Sequence, residues 1–286
     1  MANLKEIRNR ITSIGSTMQI TSAMKMVSAA KLKKAQDAIT AMRPYSSKLT
    51  ELLQSLSATL DSDAGGAYST QREVNKVLLV AVTSNRGLCG GFNSSVIKET
   101  VRTIQGKYKG VTVDLLTIGK KGNDILSKDY TVIESRNDIF DDLTFDNVSN
   151  VAEKLMDLYV NGAYDKIELI YNRFKNAATQ EVQVEQFLPI KPIEGDTNVN
   201  LDYIFEPSKE KIVLELIPKS LKTQLYKAIR DSFAAEHGAR MTAMHKATDN
   251  AKELRDELKL TYNKARQAAI TNEILEIVGG AEALKN

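Results

Sequence analysis

The chain has 286 residues, of which 42% are hydrophobic and 26% charged, and its formal net charge is +3. This length suffices for one large or two ordinary domains. The single cysteine excludes an internal disulfide framework and is typical of a reducing compartment. No apolar run reaches the roughly 18 to 20 residues needed to cross a bilayer, and no apolar signal core follows Met1, so we expect neither a membrane span nor a secretory leader.

The first predicted element is a long N-terminal helix, placed at residues 1–60. Residues 1–43 contain no proline and a single glycine. The spacing of a two-helix coiled coil, alternating steps of three and four, is followed by the apolar side chains Leu4, Ile7, Ile11, Ile14 and Met18. We therefore expect this helix to pack against a second long helix of the chain or against a partner.

The N-terminal segment is also basic, with nine basic and two acidic side chains in residues 1–50. Such an arm indicates an acidic partner, which could be nucleic acid, an anionic membrane surface or an acidic protein. For the lysine run at residues 31–34 alone, a solvated helix face is the simpler interpretation.

Between the ends of the chain the hydrophobic pattern changes to strand periodicity. Lys76–Thr83 is a continuous apolar run, typical of a buried parallel strand, and Glu181–Phe187 alternates as an antiparallel edge strand does. The elements predicted between them are helices at Asn93–Gln105, Lys120–Ser127 and Asp146–Asn161, and strands at Val111–Ile118, Tyr130–Glu134 and Lys166–Phe174. This alternation predicts an α/β domain at residues 61–206. Residues 61–73 are predicted to form the linker that leads into it, and a loop that contains Pro and Gly is predicted to follow the last strand as far as about Asn200.

A second long helix is predicted at residues 207–286. Residues 219–286 lack proline, and as one helix they would be about 100 Å long. Coiled-coil spacing is continued here by Ala247, Ala251, Leu254, Leu258, Thr261, Ala265 and Ala268. Pro218 either starts this helix or lies within a helix that has already begun after Pro207.

The glycine-rich turns do not match a nucleotide site. Gly87, Gly90 and Gly91 follow the first strand, but their spacing is not GxGxxG and no acidic residue follows the second strand to bind a ribose. Gly119 and Lys120 lie in a segment that lacks the GxxxxGK[ST] pattern of a phosphate loop. We therefore interpret both segments as structural turns and expect no cofactor.

The remaining candidates for chemistry are one thiol and two imidazoles. Cys89 has no histidine in its own domain to act as a base, which favours a small buried filler. His237 and His245 are eight residues apart, about 12 Å along a helix, and are too distant to share a metal ion. We interpret both histidines as surface polar residues, and we expect no catalytic or metal site.

Five segments resemble one known family. They read ITNEILEIVGGAE at 270–282, RITSIGSTMQITSAMKMVSAAKLKKAQ at 10–36, TSNRGLCGGFN at 83–93, EHGARMTAMHKATDNA at 236–251 and YNKARQAAITNEI at 262–274. In these motifs, and in their order along essentially the whole chain, the sequence resembles the gamma subunit of F-type rotary ATP synthases.

This resemblance implies a fold of the α/β class plus a long antiparallel coiled coil, in which the terminal helices form a shaft around a Rossmann-like α/β domain that lacks a nucleotide. It implies a rotor subunit that is not itself an enzyme and that transmits torque between a proton-driven membrane c-ring and a catalytic hexamer. The implied partners are three alpha and three beta subunits, epsilon and the c-ring, with no nucleic acid. The implied location is the cytoplasmic side of a bacterial plasma membrane.

The resemblance also implies roles for individual residues. Contacts with the alpha/beta ring are implied for Met24, Lys25, Arg240, Arg266, Gln267, Thr271 and Glu273. An apolar bearing inside the ring is implied for Ile274, Leu275, Ile277 and Val278. The foot that meets the c-ring and epsilon is implied to include Lys33, Arg43 and Tyr203. The family usually has Asp where this chain has Asn85.

Two alternatives from other classes remain open on the residues alone. A coiled-coil nucleic-acid-binding protein would use the basic N-terminal arm, and its affinity for DNA would fall steeply with salt. A dinucleotide-binding enzyme would show saturable binding of nucleotide to the isolated chain.

Overall fold

The computed structural model describes residues 4–57, 66–190 and 209–283. Two long helices lie at the ends of the chain, α1 at Leu4–Ser57 and α5 at Lys209–Ala283. Between them lie β1 (Lys76–Val82), α2 (Phe92–Gln105), β2 (Thr112–Ile118), α3 (Lys120–Leu126), β3 (Val132–Arg136), α4 (Phe145–Val160), β4 (Lys166–Phe174) and β5 (Gln180–Leu188). Short 3-10 helices occupy Gly66–Tyr68 and Asp138–Phe140.

Both long helices contain a proline. Pro44 lies inside α1, and Pro218 lies inside α5, which has already begun at Lys209. The second of the two sequence alternatives for Pro218 is therefore correct. A proline inside a helix removes one N–H donor, which most helices avoid, but neighbouring packing can compensate for the loss.

The five strands form one mixed sheet in the order β3-β2-β1-β4-β5, in which the first four are parallel and β5 is antiparallel. This is the predicted α/β sheet with an antiparallel edge. Residues 77–82 of β1 are all 0% exposed, which explains why the strand reads as a continuous apolar run.

Helices cover both faces of this sheet. On one face Leu78, Val80 and Val82 share a core with α4 and with the segment of α5 from Ile217 to Ile229. On the other face Val77, Leu79 and Ala81 share a core with α2 and α3. The predicted fold class, an α/β domain with long N- and C-terminal helices, is confirmed.

Most element boundaries agree with the sequence within one residue, but β3 does not. The strand runs from Val132 to Arg136, two residues later than predicted. Tyr130 instead donates its N–H to Leu126 O (3.0 Å) and closes the turn after α3. Its ring packs against the core between the sheet and helices α2 and α3. The predicted loop after β5 lies outside the described residues from 191 onward.

The chain divides into two compact units. One consists of residues 1–28 and 241–286, and the other consists of residues 29–240. The three-part boundaries predicted from the sequence, at 1–60, 61–206 and 207–286, stay a prediction.

Candidate functional site

In the unit formed by residues 1–28 and 241–286, α1 and α5 pair in opposite directions. The cross-helix contacts are Arg8 Nη2 to Tyr262 Oη (3.4 Å), Arg255 Nη1 to Met18 Sδ (3.7 Å), Thr21 Oγ1 with Thr248 Oγ1 (2.8 Å) and Lys25 Nζ to His245 Nδ1 (3.5 Å). As the residue numbers on α1 rise from 8 to 25, their partners on α5 fall from 262 to 245. The predicted antiparallel helix pair is therefore present in this unit.

The seam on α5 differs from the predicted one in its second half. Ala251 is buried, but Leu254 is 47% exposed, and Thr261 and Ala268 are exposed as well. Leu258 and Ala265 are half-buried as predicted. Arg255 and Tyr262 are half-buried as well, and such side chains can cover apolar surface while their polar ends reach solvent.

Beyond this seam the end of α5 is exposed throughout. Every residue from Arg266 to Glu282 is exposed, a length of about 25 Å of helix. Large apolar side chains are among them, with exposed fractions of 54% for Ile274, 63% for Leu275, 68% for Ile277 and 54% for Val278. Such an exposed apolar surface is typical of a segment that another protein covers.

In the unit formed by residues 29–240, Arg240 is buried, with its side chain 8% exposed. Nη1 donates to Glu236 Oε1 (2.6 Å), and Nη2 donates to the carbonyl oxygens of Arg86 (3.0 Å) and Gly87 (3.3 Å). Nε also donates to Gly87 O (3.4 Å). The guanidinium fork thus joins α5 to the turn between β1 and α2.

Two neighbours of Arg240 are buried ionisable groups. Burial raises the pKa of the Glu236 carboxyl, and the positive charge of Arg240 opposes that shift without cancelling it. Burial and the charges of Arg240 and Lys31 lower the pKa of His237 to about 3, so this imidazole is neutral at pH 7.

The prediction that both histidines lie on the surface is wrong for His237, which is 5% exposed. Its ring packs edge-on against Phe233 at 4.5 Å, and its Nδ1 faces Arg240 Nη1 at 3.4 Å. Because Arg can only donate, Nδ1 accepts and the proton is on Nε2. Nε2 has no hydrogen-bond partner among the described residues.

The turn between β1 and α2 is held by its own side chains. Ser84 donates its N–H to Asn93 Oδ1 (2.9 Å) and its hydroxyl to Arg86 O (2.7 Å). Cys89 is 2% exposed, and burial raises the pKa of its thiol. The prediction that Cys89 is a small buried filler is confirmed. Leu88, in the same turn, has a positive φ of 61°.

The crevice at the carboxyl ends of β1 and β4, where the strand order reverses, is the usual ligand position of a doubly wound sheet. Here Ala235 and Ala239 of α5 pack against Cys89 and Phe92, with Phe174 beside them. Helix α5 therefore occupies this position. Within the described ranges we find no cluster of three metal-ligating side chains.

Comparison with known proteins identifies the family. The family model described as ATP synthase matches residues 3–284. The ATP synthase gamma chain of Flavobacterium psychrophilum is 75% identical over 286 residues, covering all of both chains. That of Flavobacterium johnsoniae is 74% identical over 285 residues, covering 99% of each. The chain belongs to the ATP synthase gamma chain family.

Solved structures agree with this assignment. A chain of the Tetrahymena thermophila mitochondrial ATP synthase, from a structure of the central stalk and c-ring, matches at 27% identity with a TM-score of 0.61. The match covers 80% of this chain and 99% of that one. A Euglena gracilis mitochondrial ATP synthase chain matches at 22% identity and a TM-score of 0.71, covering 98% and 94%, which shows the shared fold.

The positions implied to contact the ring fall into two groups, buried or half-buried residues and exposed ones. Arg240 is buried, and Met24 and Lys25 are half-buried, with Lys25 directed at His245. The tip residues Arg266, Gln267, Thr271 and Glu273 are all exposed, and the hydroxyl of Thr271 donates to the backbone carbonyl of Gln267 (2.9 Å). The four tip residues therefore lie together on one exposed helix end, whereas Arg240 is buried within the unit formed by residues 29–240.

The foot residues are described only in part. Lys33 is exposed and pairs with Asp37 at 3.7 Å. Arg43 lies within α1, but its side chain lies outside the described part, as does Tyr203 entirely. Their role at the c-ring and epsilon stays a prediction.

The sequence did not reveal two features of this chain. The Glu236–Arg240 pair has the i,i+4 spacing of a helical ion pair, a signal that was present but not used. Asn85 donates to Asn137 O (2.8 Å) and accepts from the Lys120 N–H (3.0 Å), so it bridges three loops. An ionised Asp could accept in this position but not donate.

Proposed function

We propose that this chain is the central-stalk rotor subunit of an F-type ATP synthase, and that it transmits torque between the proton-driven membrane c-ring and the catalytic alpha/beta hexamer. The observation that carries the proposal is the 75% identity to an ATP synthase gamma chain over the whole of both chains. The subunit is non-catalytic by itself, and synthesis or hydrolysis of ATP takes place on its partners.

The geometry supports this role in two ways. The helix end at Arg266–Glu282 exposes a large apolar surface that three alpha and three beta subunits would cover. Apolar contacts are non-directional, so a helix can turn against them without breaking an oriented bond at each step. The α/β domain, in contrast, has a dense core that can carry load.

Its other partners are epsilon and the c-ring, and its location is peripheral, on the cytoplasmic side of a bacterial plasma membrane. No helix in the described ranges is both long and apolar enough to span a bilayer. The exposed Lys33 and the basic first helix are surfaces through which a foot could bind acidic or polar partners.

The alternative of a dinucleotide-binding enzyme is disfavoured, because Ala235 and Ala239 of α5 fill the crevice that a nucleotide would need. We expect calorimetry to find no micromolar binding of ATP or NAD to the isolated chain. A saturable site there would favour the enzyme alternative instead.

The direct test is co-expression with the cognate alpha and beta subunits. We expect a complex with three alpha, three beta and one copy of this chain, in which a bead fixed to the α/β domain rotates when ATP is added. The control is a complex with a variant that ends at residue 265 and lacks the exposed helix end, and its bead should rotate only weakly. A stable, active alpha/beta complex that excludes the full-length chain would refute the rotor role.

A further inference from the structure

Arg240 lies on α5 at the boundary between the two compact units. It is the last residue of the compact unit formed by residues 29–240, and α5 continues from Met241 into the other unit. Any torque that passes along α5 out of the unit containing the α/β domain must therefore pass this residue. This step rests on the rotor function proposed above.

We propose that Arg240 is a positioning residue for torque transfer, which fixes the turn between β1 and α2 to α5. Arg240, Glu236 and the carbonyl groups of Arg86 and Gly87 together are called the Arg240 clasp. The clasp makes the α/β domain and α5 turn together rather than slip past each other.

The turn is suited to carry force because its conformation is fixed. The carbonyl of Arg86 accepts from both Ser84 Oγ (2.7 Å) and Arg240 Nη2 (3.0 Å). Leu88 has a φ of 61°, a strained backbone for a residue with a side chain, and strain of this kind persists only where surrounding contacts hold it.

The helix side of the contact is equally tight. Gly238 faces the loop between β4 and β5, where an added Cβ would lie 3.2 Å from Ala177 Cα. Ala235 and Ala239 pack against Cys89 and Phe92. These small residues let α5 approach both loops at the carboxyl edge of the sheet, and Arg240 adds directed bonds to that close contact.

Other polar contacts of α5 within this unit differ in burial. Lys222 pairs with Glu153, whose side chain is 52% exposed, and an exposed pair of this kind contributes little. Arg230 is half-buried and donates to Leu143 O at 2.8 Å, on a different loop. Arg230→Met is therefore a matched control, since it removes an arginine of the same helix that donates to a carbonyl outside the clasp.

The first experiment uses the isolated full-length chain and its single thiol. Cys89 is buried against Ala235 and Ala239 of α5, so its alkylation rate reports on opening of the turn between β1 and α2. We expect Arg240→Met to react at least tenfold faster than the wild type, Arg240→Lys to lie between them, and Arg230→Met to match the wild type. Equal rates for Arg240→Met and the wild type would overturn the clasp whatever the function of the chain.

The second experiment uses the complex with alpha and beta subunits. We measure the torsional stiffness of the rotor from the thermal fluctuations of a bead on the α/β domain, and we expect Arg240→Met to lower it at least twofold and Arg240→Lys to recover part of the loss. If Arg240→Met does not assemble, Arg240→Lys carries the comparison. Unchanged stiffness with reduced ATPase activity would assign Arg240 to the ring and refute the proposal. A wild-type chain that does not rotate would refute the rotor function while leaving the alkylation result in force.

Discussion

Gly119 shows how strictly a single position can be determined by a close backbone approach. Its φ is +100°, and a Cβ at this position would lie 2.2 Å from the carbonyl oxygen of Thr83. The same loop brings Gly122 so close to Thr83 that its N–H donates to Thr83 Oγ1 at 2.8 Å. The ends of β1 and β2 can meet here only because neither glycine has a side chain.

The first prediction is that Gly119→Ala destabilises the chain far more than Gly110→Ala. Gly110 also has a positive φ, +86°, but nothing lies within 4 Å of an added Cβ there. The control, Gly110→Ala, should therefore lower the free energy of unfolding by about 1–2 kcal/mol, because alanine disfavours a positive φ. Gly119→Ala adds to this a clash between its Cβ and the backbone of Thr83. Urea unfolding of the isolated chain measures both free energies of unfolding, and equal losses would contradict the argument.

The second prediction concerns acid stability and His237. Its pKa is about 3 in the folded chain and about 6.5 when exposed, so between these values the unfolded chain binds more protons than the folded chain. Stability therefore falls as pH falls through this window, by up to about 1.4 kcal/mol per pH unit from this residue.

His237→Leu should reduce that slope, because leucine takes up no proton in the unfolded chain. The measurement is the free energy of unfolding in urea from pH 8 to pH 4.5, with the values at pH 8 as the baseline for each variant. Parallel curves for the wild type and His237→Leu would show that the ring is not held neutral by the fold.

The sequence could not reveal these residue-scale features completely. Spacing alone places Glu236 and Arg240 on one face of a helix, but it does not say that a turn some 150 residues earlier covers that face. The same gap explains the error at His237. A lone histidine in a polar stretch reads as surface until the long-range packing of α5 is known.

At the scale of elements, the sheet was predictable because each strand has a local signature. β1 is apolar throughout since both of its faces are buried, and β5 alternates because it lies at an edge beside β4 only. The start of β3 was misplaced because Tyr130 is apolar enough to join a strand but is used to close the turn after α3. Strand existence follows from local pattern, while strand ends depend on neighbouring elements.

The helix seam gives the third prediction. The heptad pattern placed Leu254 in the seam, but it is 47% exposed, while Leu258 is half-buried. Leu258→Ala should cost about 1–2 kcal/mol, and Leu254→Ala less than about 0.5 kcal/mol, because the loss follows the apolar area removed from water.

Circular dichroism at 222 nm during urea unfolding of the isolated chain measures this pair of variants. A loss for Leu254→Ala as large as that for Leu258→Ala would restore the seam predicted from the sequence, which contains both side chains. The observed seam differs from the predicted one because Arg255 and Tyr262 pack the apolar parts of their side chains there. A pattern of apolar residues alone does not include such side chains.

At the scale of the whole molecule, buried and exposed residues are divided along α5. Residues 217–240 are largely buried, and residues 266–282 are exposed at every position. A 75-residue helix with one buried and one bare end cannot be explained by the stability of this chain alone, because a bare apolar end adds no folding energy. It is explained if another protein supplies the missing surroundings.

The last prediction separates the two kinds of contact at this bare end. Deleting residues 274–286 removes Ile274, Leu275, Ile277 and Val278, so we expect weaker assembly with the alpha and beta subunits and lower torque, but residual rotation. The double variant Arg266→Ala with Gln267→Ala should assemble fully and slow ATP hydrolysis, because it removes the polar groups that we propose bind the ring and leaves the apolar surface intact.

Both variants are compared by ATPase rate and by subunit stoichiometry. The matched control is Lys252→Ala with Glu253→Ala, an exposed polar pair earlier on the same helix, which should leave both quantities near the wild-type values. Full activity of the Arg266 and Gln267 double variant would show that polar contacts near the tip do not matter. Normal assembly of the deleted chain would show that the apolar end is not the bearing, because an apolar surface that contributes to binding must weaken the complex when it is removed.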